Sequence, residues 1–184
     1  MPHRFKCITD RQIDGVECVA PPTNLRGWWQ KLSLFKPGVA DELNLYLDLD
    51  VVVIDSLDEL VERYSFKPMA TAWNWAQSGH GGCQSSVMLW GGQDAHKLYN
   101  EFDHSIAHWP PINRPPILWG DQEHITVCRD NGFPVTEIEK GLIVSYKYHC
   151  RQEKKPPSNA RVVVFHGKPD PHECPEQWIR DAWY

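Results

Sequence analysis

The chain has no apolar run approaching the ~18–20 residues of a membrane span, and nothing in it reads as an export signal. It also lacks an excess of positive charge. A formal net charge of −5 argues against a nucleic-acid binder working through a broad basic surface. The six cysteines (Cys7, Cys18, Cys83, Cys128, Cys150 and Cys174) show no CxxC spacing. A structural zinc is therefore not expected, and they read as reduced, mostly buried thiols of a cytoplasmic protein. Internal repeats, low-complexity tracts and long linkers are absent too. The 184 residues, 41% hydrophobic and 23% charged, read as one globular domain, 1–184.

What the chain does have is one organising stretch, Leu43 to Leu60, LNLYLDLDVVVIDSLDEL. Leu43, Leu45, Leu47 and Leu49 alternate with Asn44, Tyr46, Asp48 and Asp50, the period of a strand. Side chains two apart project to one side, so Asp48 and Asp50 are expected to emerge together. Val51 to Ile54 continues as strand buried on both faces. Ser56-Leu57-Asp58-Glu59 has capping-box spacing, with Leu57, Leu60, Val61 and Tyr64 as the buried stripe of a helix. Two adjacent carboxylates repel unless a cation or hydrogen bonds compensate them. A divalent-metal site is the expectation.

The remaining elements follow from local signals. His3 to Thr9 reads as a strand, and Asp14-Gly15 and Pro21-Pro22 as turns. Gly27 to Phe35 reads as a helix with Trp28, Leu32 and Phe35 on its buried face, stopped by Pro37-Gly38. Met69 to Trp75 is ambiguous, Ser78 to Gly82 is a loop, and Ser85 to Trp90 is a buried strand. After Gly91-Gly92 comes a helix with Ala95, Leu98, Tyr99 and Phe102 on one face. The four prolines of His108 to Trp119 predict an extended loop. A helix is expected from Gly120-Asp121 to Asn131-Gly132, then strands at Val135–Ile138, Leu142–Tyr148 and Arg161–His166, with Lys154–Asn159 as a loop. Alternating strands and helices indicate an α/β protein with a mixed sheet.

Two families are similar to parts of this pattern. Asp48-Leu49-Asp50-Val51-Val52 resembles the opening of haloacid-dehalogenase-like phosphatases, in which the first Asp attacks phosphorus. Their late Gly-Asp is present at Gly120-Asp121, but Ile125 stands where they place a second acid. The broader resemblance is to glycosyltransferases of the GT-A fold, the glycogenin-like family 8 and its small relatives. Asp48-Leu49-Asp50 looks like their Asp-x-Asp motif, and Gly27-Trp28-Trp29-Gln30-Lys31-Leu32-Ser33-Leu34-Phe35 is similar to the helix just upstream. Cys83-Gln84-Ser85-Ser86-Val87-Met88-Leu89 resembles their Phe-Asn-Ser-Gly-Val-Met-Leu strand. Gly120-Asp121-Gln122-Glu123 resembles their Asp-Gln-Asp/Glu motif, and Phe165-His166-Gly167-Lys168-Pro169 their C-terminal His-x-x-Gly-x-Lys-Pro element. The matches run in the family's order from Gly27 to Pro169.

This resemblance implies a metal-dependent transfer of a sugar from a nucleotide-sugar donor to a sugar, protein or lipid acceptor, with hexosyl transfer and retention. Asp48, Asp50 and His166 would be metal ligands. Two carboxylates and one imidazole suit Mn²⁺ better than Mg²⁺. Asp121 and Gln122 would face the donor sugar and its reacting carbon, while Lys31, Gln84, Ser85 and Lys168 would contact the donor. Asp121 also reads as a helix N-cap. Trp109 and Trp119 are candidates for stacking on an acceptor sugar, although core packing is the favoured reading of both. A non-catalytic GT-A-like binding protein is the alternative of a different class.

The chain departs from the pattern in three places. Gln84 and Ser86 replace the family's Asn and Gly, and His166-Gly167-Lys168-Pro169 is tighter than the family's element. These enzymes also begin with a strand and helix that cradle the nucleotide base, and this chain starts at the strand after them. The expected fold is therefore GT-A-like and N-terminally shortened. A reading frame that begins further upstream is favoured over a strand from another chain or a closed-up sheet. An open sheet edge would promote self-association.

Overall fold

A computed structural model describes residues 2–22, 24–75, 82–102 and 120–183. The described residues form a mixed α/β protein with three sheets and flanking helices. β1 (Lys6–Ile8) pairs in parallel with β2 (Glu17–Val19), a strand that its sequence does not announce. The second sheet has the order β3-β6-β5-β7, from β3 (Asn44–Leu47), β5 (Met69–Trp73), β6 (Cys83–Trp90) and β7 (Thr136–Glu137). The third, β4-β9-β8, joins β4 (Val51–Val53), β8 (Ile143–Ser145) and β9 (Val162–Val164). Every residue of β6 is buried, as expected of a strand with neighbours on both edges and packing on both faces.

The organising stretch is not one continuous strand. β3 runs antiparallel to β6 (Leu47 opposite Val87), whereas β4 runs antiparallel to β9 (Val51 opposite Val164). The chain changes sheets across Asp48-Leu49-Asp50. Hydrogen bonds reach both sides of the break, from Asp48 N–H to Ser86 O (2.9 Å) and from Phe165 N–H to Asp50 O (3.0 Å). Leu49, between them, belongs to neither ladder and is 85% exposed. Alternation alone cannot reveal such a crossing, because both halves keep strand character.

Helix α1 (Asp58–Tyr64) begins after a turn in which the Ser56 hydroxyl accepts from Asp58 N–H (3.2 Å), and no side chain caps it. α2 (His96–Asn100) and α3 (Asp121–Asp130) lie near their expected places. The expected strand Leu142–Tyr148 stops at Ser145, and Tyr146–Cys150 winds into a π-helical turn. α4 (Gln177–Trp183), for which no element was expected, places Ile179 in one core cluster with Val52 and Val163. Trp109, Trp119 and the proline-rich loop lie outside the described residues, as does most of the Ser78–Gly82 loop.

Candidate functional site

Gly27–Phe35 is a 3-10 helix rather than an α-helix. With three residues per turn, side chains three apart stand above one another. Trp29, Leu32 and Phe35 are accordingly the buried row, each no more than 1% exposed, where α-helical spacing predicts Trp28, Leu32 and Phe35. The neighbouring row is Trp28, Lys31 and Leu34. It lines a cleft of about 620 Å³ together with Tyr46, Asp48 and Asp50.

Lys31 organises the floor of this cleft. Its Nζ donates to both oxygens of Asp48 (2.9 and 3.0 Å) and to Ser85 Oγ (3.2 Å) and O (3.3 Å). It also stands 3.5 Å from Asp121 Oδ2. That oxygen is buried and has no hydrogen-bond donor among the described residues, and the Lys31 charge compensates it across a longer gap. Burial works against the ammonium, but the charges of Asp121 and Asp48 outweigh it and its pKa ends raised. Tyr46, two residues before Asp48 and on its side of the strand, donates its hydroxyl to Asp48 Oδ1 (2.8 Å). Sequence reasoning missed this residue, although the same alternation that aligned Asp48 with Asp50 aligns Tyr46 with both.

Asp121 opens α3 as its first residue, after Gly120 at the cap; the Gly120 N–H donates to Glu123 Oε2 (3.0 Å). Gln122 Oε1 accepts from Ser85 N–H (3.4 Å). Thr126, one turn along, accepts from the N–H groups of Gly82 and Cys83 (both 3.1 Å) and donates to Gln122 O (2.8 Å). These bonds tie α3 to the start of β6. Lys31, Asp48, Ser85, Asp121 and Gln122 thus form one connected network. Gln84 turns onto Ser86, donating to its hydroxyl (2.7 Å) and accepting from its N–H (2.8 Å).

The Asp50 carboxyl is pushed up to about 6, by burial first and then by the charge of Asp48, with Lys31 only partly opposing. A divalent cation would relieve both effects, so the Asp48–Asp50 pair fits such an ion. His166 lies two residues beyond β9, outside the cleft lining, with Nε2 2.7 Å from Ser145 Oγ and its ring stacked on Tyr148. Burial, then the nearby Lys147, lowers its pKa, which favours the neutral form that a metal requires. Lys168 is held by Asp170 (2.7 Å) and Glu173 (2.9 Å). Among the described residues, Asp170, His172 and Glu173 are the group whose ligand atoms lie within 4.8 Å of one another, and Asp170 and His172 line the same cleft as Asp50. No sequence motif had singled them out.

No protein-family model matches the chain, and no curated protein matches it. Seventeen chains of solved structures do. The glycosyltransferase GlyE of Streptococcus pneumoniae TIGR4 superposes with a TM-score of 0.61 at 16% identity, over 92% of this chain and 46% of GlyE. Its apo form gives 0.56 at 15% identity, over 92% and 45%. The galactosyltransferase LgtC, solved with donor and acceptor sugar analogs, gives 0.58 at 17% identity, over 89% of this chain and 71% of LgtC. The chain spans about half the length of GlyE. The likeness is one of fold, and that fold is the GT-A-like one the sequence motifs led us to expect. Among the described residues, no helix is long and apolar enough to cross a membrane.

Proposed function

We propose that the protein transfers a sugar from a nucleoside-diphosphate sugar to an acceptor hydroxyl with the help of a divalent metal. The observation that carries this reading is Lys31, a buried ammonium held between Asp48 and Asp121 on the floor of an open cleft. Breaking the bond from the sugar to the β-phosphate leaves new negative charge on the diphosphate. A fixed cation nearby stabilises that charge as it develops. The raised pKa of Lys31 keeps it charged at neutral pH. Asp48 and Asp50 would hold Mn²⁺ or Mg²⁺, and His166 would join them only by leaving its bond to Ser145 and turning toward the cleft. When bound, the metal supplies Lewis-acid neutralisation of the diphosphate.

The other residues bind and orient. Asp121 and Gln122, presented at the start of α3, would face the donor sugar, and Ser85, bonded to both Lys31 and Gln122, would sit between phosphate and sugar. Gln84 and Lys168 reach the donor only after leaving their bonds to Ser86 and to Asp170 and Glu173. The motif resemblance supports a hexose donor and retention of configuration, and the fold likeness to GlyE and LgtC supports sugar transfer. The phosphatase reading is less well supported, because Ile125 stands where those enzymes place their second late acid. Calorimetric titration with Mn²⁺ and nucleoside diphosphates tests the reading. Binding that needs Mn²⁺ and is lost in Asp50→Asn supports it; equal binding by both proteins would rule out the carboxylate site.

A further inference from the structure

All six cysteines are free thiols, but they fall into two kinds. Cys83, Cys128, Cys150 and Cys174 are buried, and burial pushes each of these thiols up, Cys128 to about 11 and Cys150 to about 12. Cys7 and Cys18 are partly exposed. Cys7 lies in β1 and Cys18 in β2, and the two are register partners in the parallel pairing. Partners in adjacent strands send their side chains to the same face. The preceding pair shows that such side chains meet, since Lys6 Nζ lies 3.4 Å from Glu17 Oε1. The connection from β1 to β2 folds back over Cys18, whose sulfur accepts from Ile13 N–H (3.3 Å) and whose thiol donates to Val16 O (3.5 Å). Neighbouring strands run about 4.8 Å apart, inside the roughly 4.4–6.8 Å that a disulfide spans between Cα atoms. Among the described residues β1 and β2 pair only with each other, so they can draw together without disturbing a third strand.

We propose that Cys7 and Cys18 are a redox-reactive pair that closes to an intrachain disulfide when the protein meets a disulfide oxidant such as glutathione disulfide. One cysteine thiolate attacks the oxidant, releases a glutathione thiolate and forms a mixed disulfide. The other thiolate then attacks the protein sulfur of that bond and releases the second glutathione. The two protein thiols lose two protons and two electrons, and the oxidant takes them up as two molecules of glutathione. Burial shields the other four thiols from the same reagent. Ile8, which follows Cys7, and Pro21, three residues after Cys18, both line the cleft that holds Lys31, Asp48 and Asp50. The bond therefore ties together two segments of that lining.

The test exposes reduced, folded wild type to glutathione disulfide, quenches with N-ethylmaleimide and maps the peptides by mass spectrometry. Cys7 and Cys18 should be consumed at least about tenfold faster than the four buried thiols. They should appear as one cross-linked pair of peptides that dithiothreitol separates, from protein that runs as a single chain without reductant. Cys7→Ser and Cys18→Ser should each abolish the cross-link and leave the remaining thiol carrying glutathione. Glutathione on both cysteines with no bond between them would overturn the pair. So would a bond from either to another cysteine, a bond between two protein copies, or reaction no faster than that of the buried thiols. Wild type alone gives each of these outcomes, so a variant that fails to fold leaves the test intact.

Discussion

Lys31 and Asp48 are 17 residues apart in the chain and 2.9 Å apart in space, with Asp121 on the other side of the same ammonium. One cation therefore holds the 3-10 helix, the crossing between two sheets and the start of α3 in a fixed relation.

Lys31→Met keeps the side chain's length and removes its charge, leaving half-buried Asp48 and buried Asp121 without the cation between them. Breaking a buried ion pair in this way costs about 3–5 kcal/mol. Thermal melts should show a large fall in Tm, and Lys31→Met combined with Asp121→Asn should recover part of it. A melting temperature unchanged in Lys31→Met would show that the ammonium is not structural.

Asp50 gives a pH signature. Its folded pKa of about 6 lies above the ordinary 3.8, so between those values the folded protein binds more protons than the unfolded one. Its contribution therefore improves stability as pH falls through that window and penalises the fold above it. Asp50→Asn should raise stability at pH 7.5 by about 1–2 kcal/mol, after allowing for solvent screening of a partly exposed group. Melts in the presence of a chelator should show the gap narrowing as pH falls below about 6 and closing only below about 3.8. A mutant less stable than wild type at pH 7.5 would mean that Asp50 is already compensated.

Thr126 joins α3 to the start of β6 through a hydroxyl that accepts two N–H groups and donates to Gln122 O. Thr126→Val has nearly the same shape and leaves those groups without partners. It should cost about 2 kcal/mol in urea denaturation, whereas Thr126→Ser should cost clearly less. A loss in Thr126→Ser as large as that in Thr126→Val would show that the methyl group matters as much as the hydroxyl and would contradict this account.

These residues also show what a sequence can and cannot disclose here. The Asp48–Asp50 pair, β6 and α3 were legible because alternation, apolar runs and stop signals are local. The crossing between sheets was not, because Leu47 and Val51 look alike whichever neighbours they pair with. Trp28 was assigned to the core because the α and 3-10 periods place it on different faces. Tyr46 and Thr126 matter through partners that only the folded chain reveals. Asp170 and His172 reach the cleft on a turn that carries no periodicity.

The central claim is sugar transfer from a metal-bound nucleotide donor, and the most direct measurement is release of free nucleoside diphosphate from a panel of nucleotide sugars with Mn²⁺. At least one donor should be consumed by wild type, with turnover abolished by a chelator and reduced at least a hundredfold in Asp50→Asn. Release that continues undiminished with the chelator present, or in Asp50→Asn, would contradict the account, as would a folded wild-type protein that consumes no donor in the panel.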